Sequence, residues 1–421
     1  MDVHKSVLAN GLRLLTIPIP GLESVTCLVL TGVGSRYEPR EKLGISHVLE
    51  HMAFKGTTKR PKPLDIANLV EGVGGAWNAF TSKEMTGYWI KLSGDHFDLA
   101  LDVLSDILLN PVLNEKELKK EVGVVLEEAK MRKDTPRIHI YDMFDEQLLG
   151  DQPLGWDTIG TPQSLRSLNR SDLTQFISKY YKTENMVVVA AGKVNQDVTV
   201  KIERYFSGLR SGKTPAYQAA LMNQEKPRVK IDRRSTEQAH LAIGVEGVSH
   251  TDQDYYPLQV METILGHGMS SRLWESVREN KGLAYTVRTS SDSYHDTGVF
   301  VTYAGVDLNK VDSAVEAILF EYHKLRLKKV DPAELVKGKE YIKGRLKLGL
   351  EDTEEVATMF GLRELLERRV LTASDIISLV ERVTAEDILR VATRIFKEEK
   401  LNLSLIGPFN DENRFLKLLK L

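Results

Sequence analysis

The stretch Gly44-Ile-Ser-His47-Val-Leu-Glu50-His51-Met-Ala-Phe-Lys-Gly56 is the most informative segment of the chain. Its apolar spacing predicts a helix over 45–55, on which His47 and His51 lie one turn apart and project from the same face. Two imidazoles at that spacing can bind one metal ion at about 2.0–2.1 Å. Glu50 lies at the edge of the same face, where its carboxylate can reach a water held by the metal. The segment therefore predicts a metal pair with an adjacent general base, although a helix with two exposed histidines is the alternative.

A third ligand is needed, because catalytic zinc sites usually combine three protein ligands with one open position. The best candidates lie on the helix predicted over 115–132. Glu121 and Glu128 are seven residues apart, about two turns, and share a helix face, whereas Glu127 is rotated about 100° from Glu128 and is expected to face solvent. A carboxylate on a partly apolar face is costly unless a cation pairs with it. The carboxylates on this face therefore indicate that one of them is a metal ligand.

Composition excludes several classes of protein. The chain has 421 residues, which is too long for one small core and predicts two or more domains. Hydrophobic residues make up 42% and charged residues 28%, as in ordinary globular proteins. The formal net charge of −2 provides no strong field toward nucleic acid or an anionic membrane. We therefore expect neither as a partner.

The single cysteine, Cys27, excludes an intrachain disulfide and fits a reducing compartment. It lies in an apolar run typical of a strand, and we interpret it as a packed core thiol. The N-terminal sequence passes directly into a strand-like pattern without the apolar core of a signal peptide. No stretch approaches the ~20 apolar residues that a membrane span needs. The expected compartment is the cytoplasm.

Strand and helix patterns alternate along the chain. Asn10-Gly11 predicts a tight turn inside a hairpin over 3–17. Further strands are predicted at 27–32, at 186–191 and as a pair within 77–92. Helices are predicted at 45–55, 63–71, 96–109 and 115–132.

Weak internal similarity indicates that one α+β unit occurs twice. Asp172 and Gly192 match Asp387 and Gly407 at an offset of 215, and the segment 77–82 resembles 285–290 at an offset of 208. The least structured stretch, 209–227, lies between the copies. We therefore predict an N-terminal catalytic metal-binding domain at 1–212, a linker at 213–226 and a homologous C-terminal domain without a metal site at 227–421.

Several motifs together resemble those of one family of zinc peptidases. They are Gly44–Thr57, Gly74-Gly-Ala-Trp-Asn78-Ala-Phe-Thr-Ser82, Glu121 to Glu128 with the trailing Met131-Arg-Lys-Asp134-Thr-Pro136, and Leu154-Gly-Trp-Asp-Thr-Ile-Gly160-Thr161. The sequence resembles the insulinase (pitrilysin) and mitochondrial-processing-peptidase family, in its short, processing-peptidase-like bacterial type, over essentially the whole chain. The resemblance implies an α+β fold of two homologous α/β-sandwich units joined by a linker.

The resemblance also assigns residues. In the family, a glutamate roughly 75 residues beyond the second histidine is the third ligand, and 76 residues separate His51 from Glu128. The implied zinc ligands, for one Zn²⁺ per chain, are therefore His47, His51 and Glu128. Glu121 matches an accessory acidic residue, which we group with Glu50 as catalytic.

Substrate-binding residues are implied at two places. The peptide is expected to lie as an added strand along Asn78, Ala79 and Phe80. Arg278 and Tyr285 resemble a family pair that contacts substrate near the metal and could stabilise oxyanion charge. The alternative for this pair is a surface arginine and a buried tyrosine.

The second half carries no comparable metal motif. At the offset of 215, His47, Glu50 and His51 correspond to Glu262, Leu265 and Gly266. Gly266-His-Gly268 lacks the remaining glycines and the lysine of a phosphate loop, so nothing supports a nucleotide-dependent enzyme.

The sequence therefore predicts a zinc-dependent endopeptidase that hydrolyses peptides or unfolded polypeptide segments by metal-activated water. The alternative is a catalytically silent scaffold or assembly subunit of the same fold, although such relatives typically lose the metal motif. The expected partners are a peptide substrate and a second copy of the chain, in a homodimer with composite active sites.

Overall fold

The computed structural model describes residues 2–421 and contains two β-sheets covered by helices. The strands are β1 His4–Val7, β2 Arg13–Pro18, β3 Ser24–Thr31, β4 Ala76–Thr81, β5 Thr86–Ser93, β6 Met186–Gly192, β7 Arg228–Arg233, β8 Ala239–Glu246, β9 Ala284–Ser293, β10 Gly298–Val306 and β11 Asn402–Gly407. The α-helices are α1 Ile45–Ala53, α2 Pro63–Glu71, α3 Phe97–Leu109, α4 Glu115–Asp134, α5 Pro136–Leu149, α6 Pro162–Ser167, α7 Arg170–Tyr180, α8 Val198–Phe206, α9 Tyr255–Gly266, α10 Val311–Leu327, α11 Pro332–Gly349, α12 Thr353–Glu367, α13 Ala373–Glu381, α14 Ala385–Ile395 and α15 Glu412–Leu416.

These elements agree with the predicted patterns. β1 and β2 pair antiparallel around the turn at Asn10-Gly11, where Gly11 has a φ of 84° that suits glycine. The predicted strands and helices of the first half all occur, with ends that differ by a few residues. Residues 210–227 contain neither helix nor strand. Within residues 2–421, no helix has both the length and the apolar character that crossing a membrane requires.

The chain forms two compact units. The first consists of the described residues up to Ala129 with Trp156–Gln218 and Lys347–Ser374. The second consists of Lys130–Gly155, Ala219–Leu346 and Asp375–Leu421. Neither unit is one continuous block, because α5 belongs to the second unit and α12 to the first. The predicted division of the chain at 213–226 stays a prediction.

The sheet of the first unit has the strand order β1-β2-β6-β3-β5-β4. β2 and β6 are parallel, whereas every other neighbouring pair is antiparallel. Along β3, Cys27 and Val29 face the core beneath α1 and α3, while Leu28 and Leu30 face α12. Because both faces are covered, the central residues of β3, Cys27 to Leu30, are all apolar instead of alternating with polar residues. β4 is the edge strand.

A buried ion pair fixes α12 on this sheet. Arg13 on β2 donates to the carboxylate of Glu364, and Lys5 on β1 contacts the same carboxylate at 2.8 Å. Glu364 is fully buried, so removing either cation would leave buried charge less compensated. The pair therefore ties a helix from late in the chain to its first two strands.

The second unit repeats the sheet of the first. Its strand order, β7-β11-β8-β10-β9, is that of β2-β6-β3-β5-β4 with each strand advanced by five. Asp172 and Asp387 both complete capping boxes, at the starts of α7 and α14, and Gly192 and Gly407 both end the strand that follows. The matching topology agrees with the predicted duplication.

Candidate metal centre

Helix α1 places two imidazoles side by side. His47 and His51 have ring centroids 4.8 Å apart, as expected for residues one turn apart on one face. The helix is short, and its opposite face packs into the core through Val48, Leu49 and Met52. His47 is 9% exposed. The helix thus directs both histidines to one location that is largely shielded from solvent.

Helix α4 brings a carboxylate to both histidines. Glu128 Oε2 lies 3.6 Å from His47 Nε2 and 3.7 Å from His51 Nε2. All three donor atoms lie within 4.8 Å of one another. The neighbouring Glu127 is exposed, as the helical angle predicted. The structure therefore brings together the three residues proposed as ligands.

The donor geometry fits zinc. A tetrahedral ion with bonds of about 2.0–2.1 Å separates its ligand atoms by about 3.3–3.4 Å. The two separations from Glu128 exceed this value by only a few tenths of an ångström. Two imidazoles and one carboxylate also form a donor set typical of hydrolytic zinc, which leaves a fourth position for water.

A second carboxylate orients His51. Glu121 is one of the few buried residues of α4. Its carboxylate accepts a hydrogen bond at 3.2 Å from His51 Nδ1. Its other oxygen lies 2.8 Å from Lys55 Nζ. A proton held on Nδ1 leaves Nε2 with the lone pair that a metal needs. Glu121 thus contacts a proposed ligand without being one. Lys55, whose role no sequence motif indicates, compensates the charge of Glu121.

Glu50 lies in a region that disfavours its ionised form. Burial raises the pKa of the Glu50 carboxyl, and Thr81 and His51 oppose that increase in part. A buried pair of phenols lies on the strand side of this region, with Tyr88 Oη 2.9 Å from Tyr181 Oη. Glu50 adds to the factors that raise the pKa of both tyrosines. A carboxylate with a raised pKa is a stronger base toward water.

The predicted substrate strand is β4, the edge of the sheet next to α1. Asn78 is exposed, and Ala79 packs toward the core on the α1 side. Phe80 points to the opposite face, where its ring covers Gly87. Of the three predicted residues, Ala79 thus lies on the same face of the sheet as α1, whereas Phe80 lies on the opposite face.

Arg278 and Tyr285 lie together in the second unit. Arg278 belongs to a short π-helix, Trp274–Glu279, and its guanidinium lies 3.9 Å from the Trp274 ring and 5.2 Å from the Tyr285 ring. Tyr285 is 74% exposed, so the alternative of a buried tyrosine is wrong. The pair forms a cation and phenol surface at the start of the edge strand β9.

The position in the second unit that corresponds to His47 is occupied by Glu262 on α9. Glu262 Oε1 lies 2.7 Å from His267 Nε2, and its other oxygen accepts from Ser291. The carboxylate is therefore engaged by two neighbours within its own unit.

Comparison with known proteins places the chain in a family. Residues 13–162 match the model described as "Insulinase (Peptidase family M16)", and residues 167–342 match "Peptidase M16 inactive domain". A Bacillus subtilis (strain 168) protein named "Uncharacterized zinc protease YmxG" is 37% identical over 400 residues, which cover 95% of this chain and 97% of that protein. A Streptomyces coelicolor relative named "Uncharacterized zinc protease SCO5738" is 33% identical over 417 residues, which cover 97% of this chain and 90% of that protein. The chain belongs to the insulinase family of peptidases, family M16.

Solved structures share the fold along the whole chain. A protease from Helicobacter pylori superimposes with a TM-score of 0.90 at 27% identity, over 97% of this chain and 99% of that one. A Pseudomonas fluorescens structure described as a peptidase M16 inactive domain has a TM-score of 0.88 at 18% identity, over 98% and 99%. The second similarity concerns the fold alone.

Proposed function

We propose that this protein is a zinc metalloendopeptidase with one Zn²⁺ per chain, held by His47, His51 and Glu128. The observation that carries the proposal is the position of Glu128 Oε2, which lies within 3.7 Å of Nε2 of both histidines. The zinc proteases named among the relatives support the same metal and the same class of reaction. When bound, zinc would act as a Lewis acid toward a water and a peptide carbonyl.

The protein side chains handle the proton. Glu50 accepts a proton from the attacking water at its carboxylate and delivers it to the nitrogen of the leaving amine. Its raised pKa suits both transfers, because a group that binds a proton more readily also retains it until the amine departs. Glu121 holds Nδ1 of His51 and so keeps that ring in one tautomer.

The substrate we propose is an extended peptide or an unfolded polypeptide segment that adds to the edge strand β4. Main-chain pairing along Asn78, Ala79 and Phe80 would align a peptide beside α1, and such pairing tolerates many side chains. The choice of substrate would then depend on whether a polypeptide segment can adopt an extended conformation. The cytoplasm remains the expected compartment, and this expectation rests on the sequence alone.

We also propose a homodimer with composite active sites, in which Arg278 and Tyr285 of one protomer approach the metal site of its partner. The exposed ring of Tyr285 supports this proposal, because a phenol with that exposure is accessible to another molecule. The stacked arginine would place a cation where carbonyl oxygen acquires negative charge.

A scaffold of the same fold is the second candidate, favoured by the match of residues 167–342 to a family model described as an inactive domain. The experiment that separates the two candidates measures zinc by mass spectrometry on purified protein and cleavage of a quenched unstructured peptide. We expect about one zinc per chain, cleavage that a chelator abolishes, and recovery with added zinc. Metal-free protein that cleaves no peptide after zinc is restored would favour the scaffold.

A further inference from the structure

Helix α1, which carries His47 and His51, has no N-cap side chain that could accept a hydrogen bond from its first turn. Its N-cap residue is Gly44, with a φ of 87°. A Cβ at this position would lie 2.2 Å from the carbonyl oxygen of Ile159 and 2.8 Å from Leu165. Glycine is therefore required both by the backbone conformation and by the close approach of the neighbouring chain. Because glycine has no side chain, the first-turn N–H groups need an acceptor from elsewhere.

Glu38 supplies that acceptor. Gly44 N–H donates to Glu38 Oε2 at 2.7 Å, and Ser46 N–H donates to Glu38 Oε1 at 2.8 Å. Glu38 is 3% exposed. A carboxylate at a helix N-terminus also interacts favourably with the helix dipole. Both oxygens thus hold the turn immediately before His47.

The loop that carries Glu38 is itself fixed to the turn between β4 and β5. Ser35 N–H donates to the Ser82 carbonyl at 3.1 Å, and Arg36 N–H donates to the Lys83 carbonyl at 2.8 Å. The guanidinium of Arg36 forms a buried ion pair with Glu84 in the same turn. One short loop therefore connects the metal helix to the hairpin whose edge strand is the proposed substrate site.

Three other helices of this unit are capped by their own N-cap side chains. Thr161 caps α6 and Asn169 caps α7, each by accepting from the residue three positions later. Asp352 caps α12 by accepting from Glu354 and Glu355 N–H at 2.7 and 3.2 Å. For α1 the acceptor instead comes from Glu38, six residues before the N-cap in the connection between β3 and α1. The position of the helix therefore follows the position of that connection.

We propose that Glu38 is a positioning residue for the metal centre, acting through Ser46 and Gly44 on the placement of His47 and His51. The inference rests on the proposed zinc site and adds a residue outside the ligand set. Loss of the carboxylate would leave the N–H groups of Gly44 and Ser46 without their present acceptor and let the first turn adopt several positions. Zinc would then have to order the turn as it binds, which weakens its affinity.

Global stability should respond much less than zinc affinity. Burial raises the pKa of Glu38 to about 7, even though the two backbone hydrogen bonds lower it. The ionised carboxylate is therefore costly to bury, and replacing it with an amide removes that cost while it removes an acceptor. A positioning role therefore predicts weaker zinc binding with little change in global stability. A purely structural role predicts a loss of global stability.

The test compares Glu38→Gln with Asp352→Asn, the matched variant of a carboxylate cap on the opposite face of the same sheet. Zinc dissociation constants are measured at pH 8 by competition with a chromogenic chelator, together with the apo melting temperature and the visible spectrum of the Co²⁺-substituted proteins. We expect Glu38→Gln to bind zinc about tenfold more weakly and to change the Co²⁺ spectrum, whereas Asp352→Asn leaves both unchanged.

The outcomes distinguish the inference from the proposed function. If the wild-type protein binds no zinc, both fail; if it binds zinc and Glu38→Gln binds within twofold of it, only the inference fails. Weaker binding with an unchanged Co²⁺ spectrum would show an effect of charge alone and would also overturn positioning. Should Glu38→Gln not fold, Glu38→Asp replaces it, because the shorter carboxylate keeps the charge but cannot reach both N–H groups, and it must show the same loss.

Discussion

Nδ1 of His51 lies 3.2 Å from Oε2 of Glu121, so a buried carboxylate holds the far side of a proposed zinc ligand. His51 lies on α1 and Glu121 on α4, so this contact joins the two helices. Metal-bound histidines commonly donate their second ring nitrogen to a carboxylate, which fixes the tautomer and ring orientation. The pair therefore links the fold of the first unit to the chemistry proposed for it.

Glu121→Gln should weaken zinc binding by about 10–100-fold. The amide keeps the size of the side chain but removes the negative charge. Loss of this charge leaves Lys55 without its anionic partner. Both effects oppose cation binding. Equilibrium dialysis against buffered zinc measures the change, and an affinity equal to that of the wild-type protein would show that His51 needs no partner.

The two adjacent glutamates of α4 should behave differently. Glu128→Gln removes a proposed anionic ligand and should lower zinc content to well below one per chain, whereas Glu127→Gln should retain it. Glu127 is an exact match in chemistry and differs mainly in its exposed position. Metal analysis after gel filtration provides the measurement. Retention of zinc by Glu128→Gln with loss from Glu127→Gln would reverse the ligand assignment.

Glu50→Gln should retain zinc and lose nearly all turnover. The amide preserves shape but cannot accept a proton, and general-base catalysis alone contributes ~10²–10⁴-fold. Peptide cleavage is compared at equal zinc content, so that metal loss cannot account for the result. A decrease of less than tenfold would contradict the role assigned to Glu50.

Cys27 should be unreactive in the folded protein. Full burial on β3 raises the pKa of its thiol well above the ordinary value, and the thiolate is the reactive form. Iodoacetamide at pH 8 should leave the native chain unmodified and label one thiol per chain after guanidinium unfolding. Intact-mass measurement follows the reaction. Rapid labelling of native protein would mean that this core opens readily.

The sequence predicted the proposed ligands and one supporting residue, Glu121, but not the other supporting residues. His47 and His51 could be identified because their contact follows from helical spacing, and Glu128 could be chosen because the family fixes a separation along the chain. The roles of Lys55 and Glu38 could not be identified, because no sequence pattern marks their contacts. Lys55 meets Glu121 on another helix, and Glu38 accepts from backbone N–H groups in a turn whose geometry appears only in the folded chain. The placement of α5 and α12 was equally hidden, since an apolar helix face can pack on either of two sheets with the same topology.

The last prediction concerns the proposed homodimer and its composite sites. By resemblance to longer family members, the arginine and tyrosine that face the metal come from a different unit of the assembly. In a dimer of this chain, the partner subunit's Arg278 and Tyr285 would then complete the site formed by His47, Glu50 and His51. A two-fold axis would generate two equivalent sites.

Complementation tests this arrangement. Glu50→Gln and Tyr285→Phe proteins, each folded and inactive, are mixed and allowed to exchange subunits. A mixed dimer would contain one site with both defects and one intact site, because the intact Glu50 and the intact Tyr285 come from different chains. Complete exchange should restore about a quarter of wild-type activity, since about half of the dimers are mixed and each has one working site. Exchange verified by differently tagged subunits, with no activity regained, would exclude sites shared between protomers.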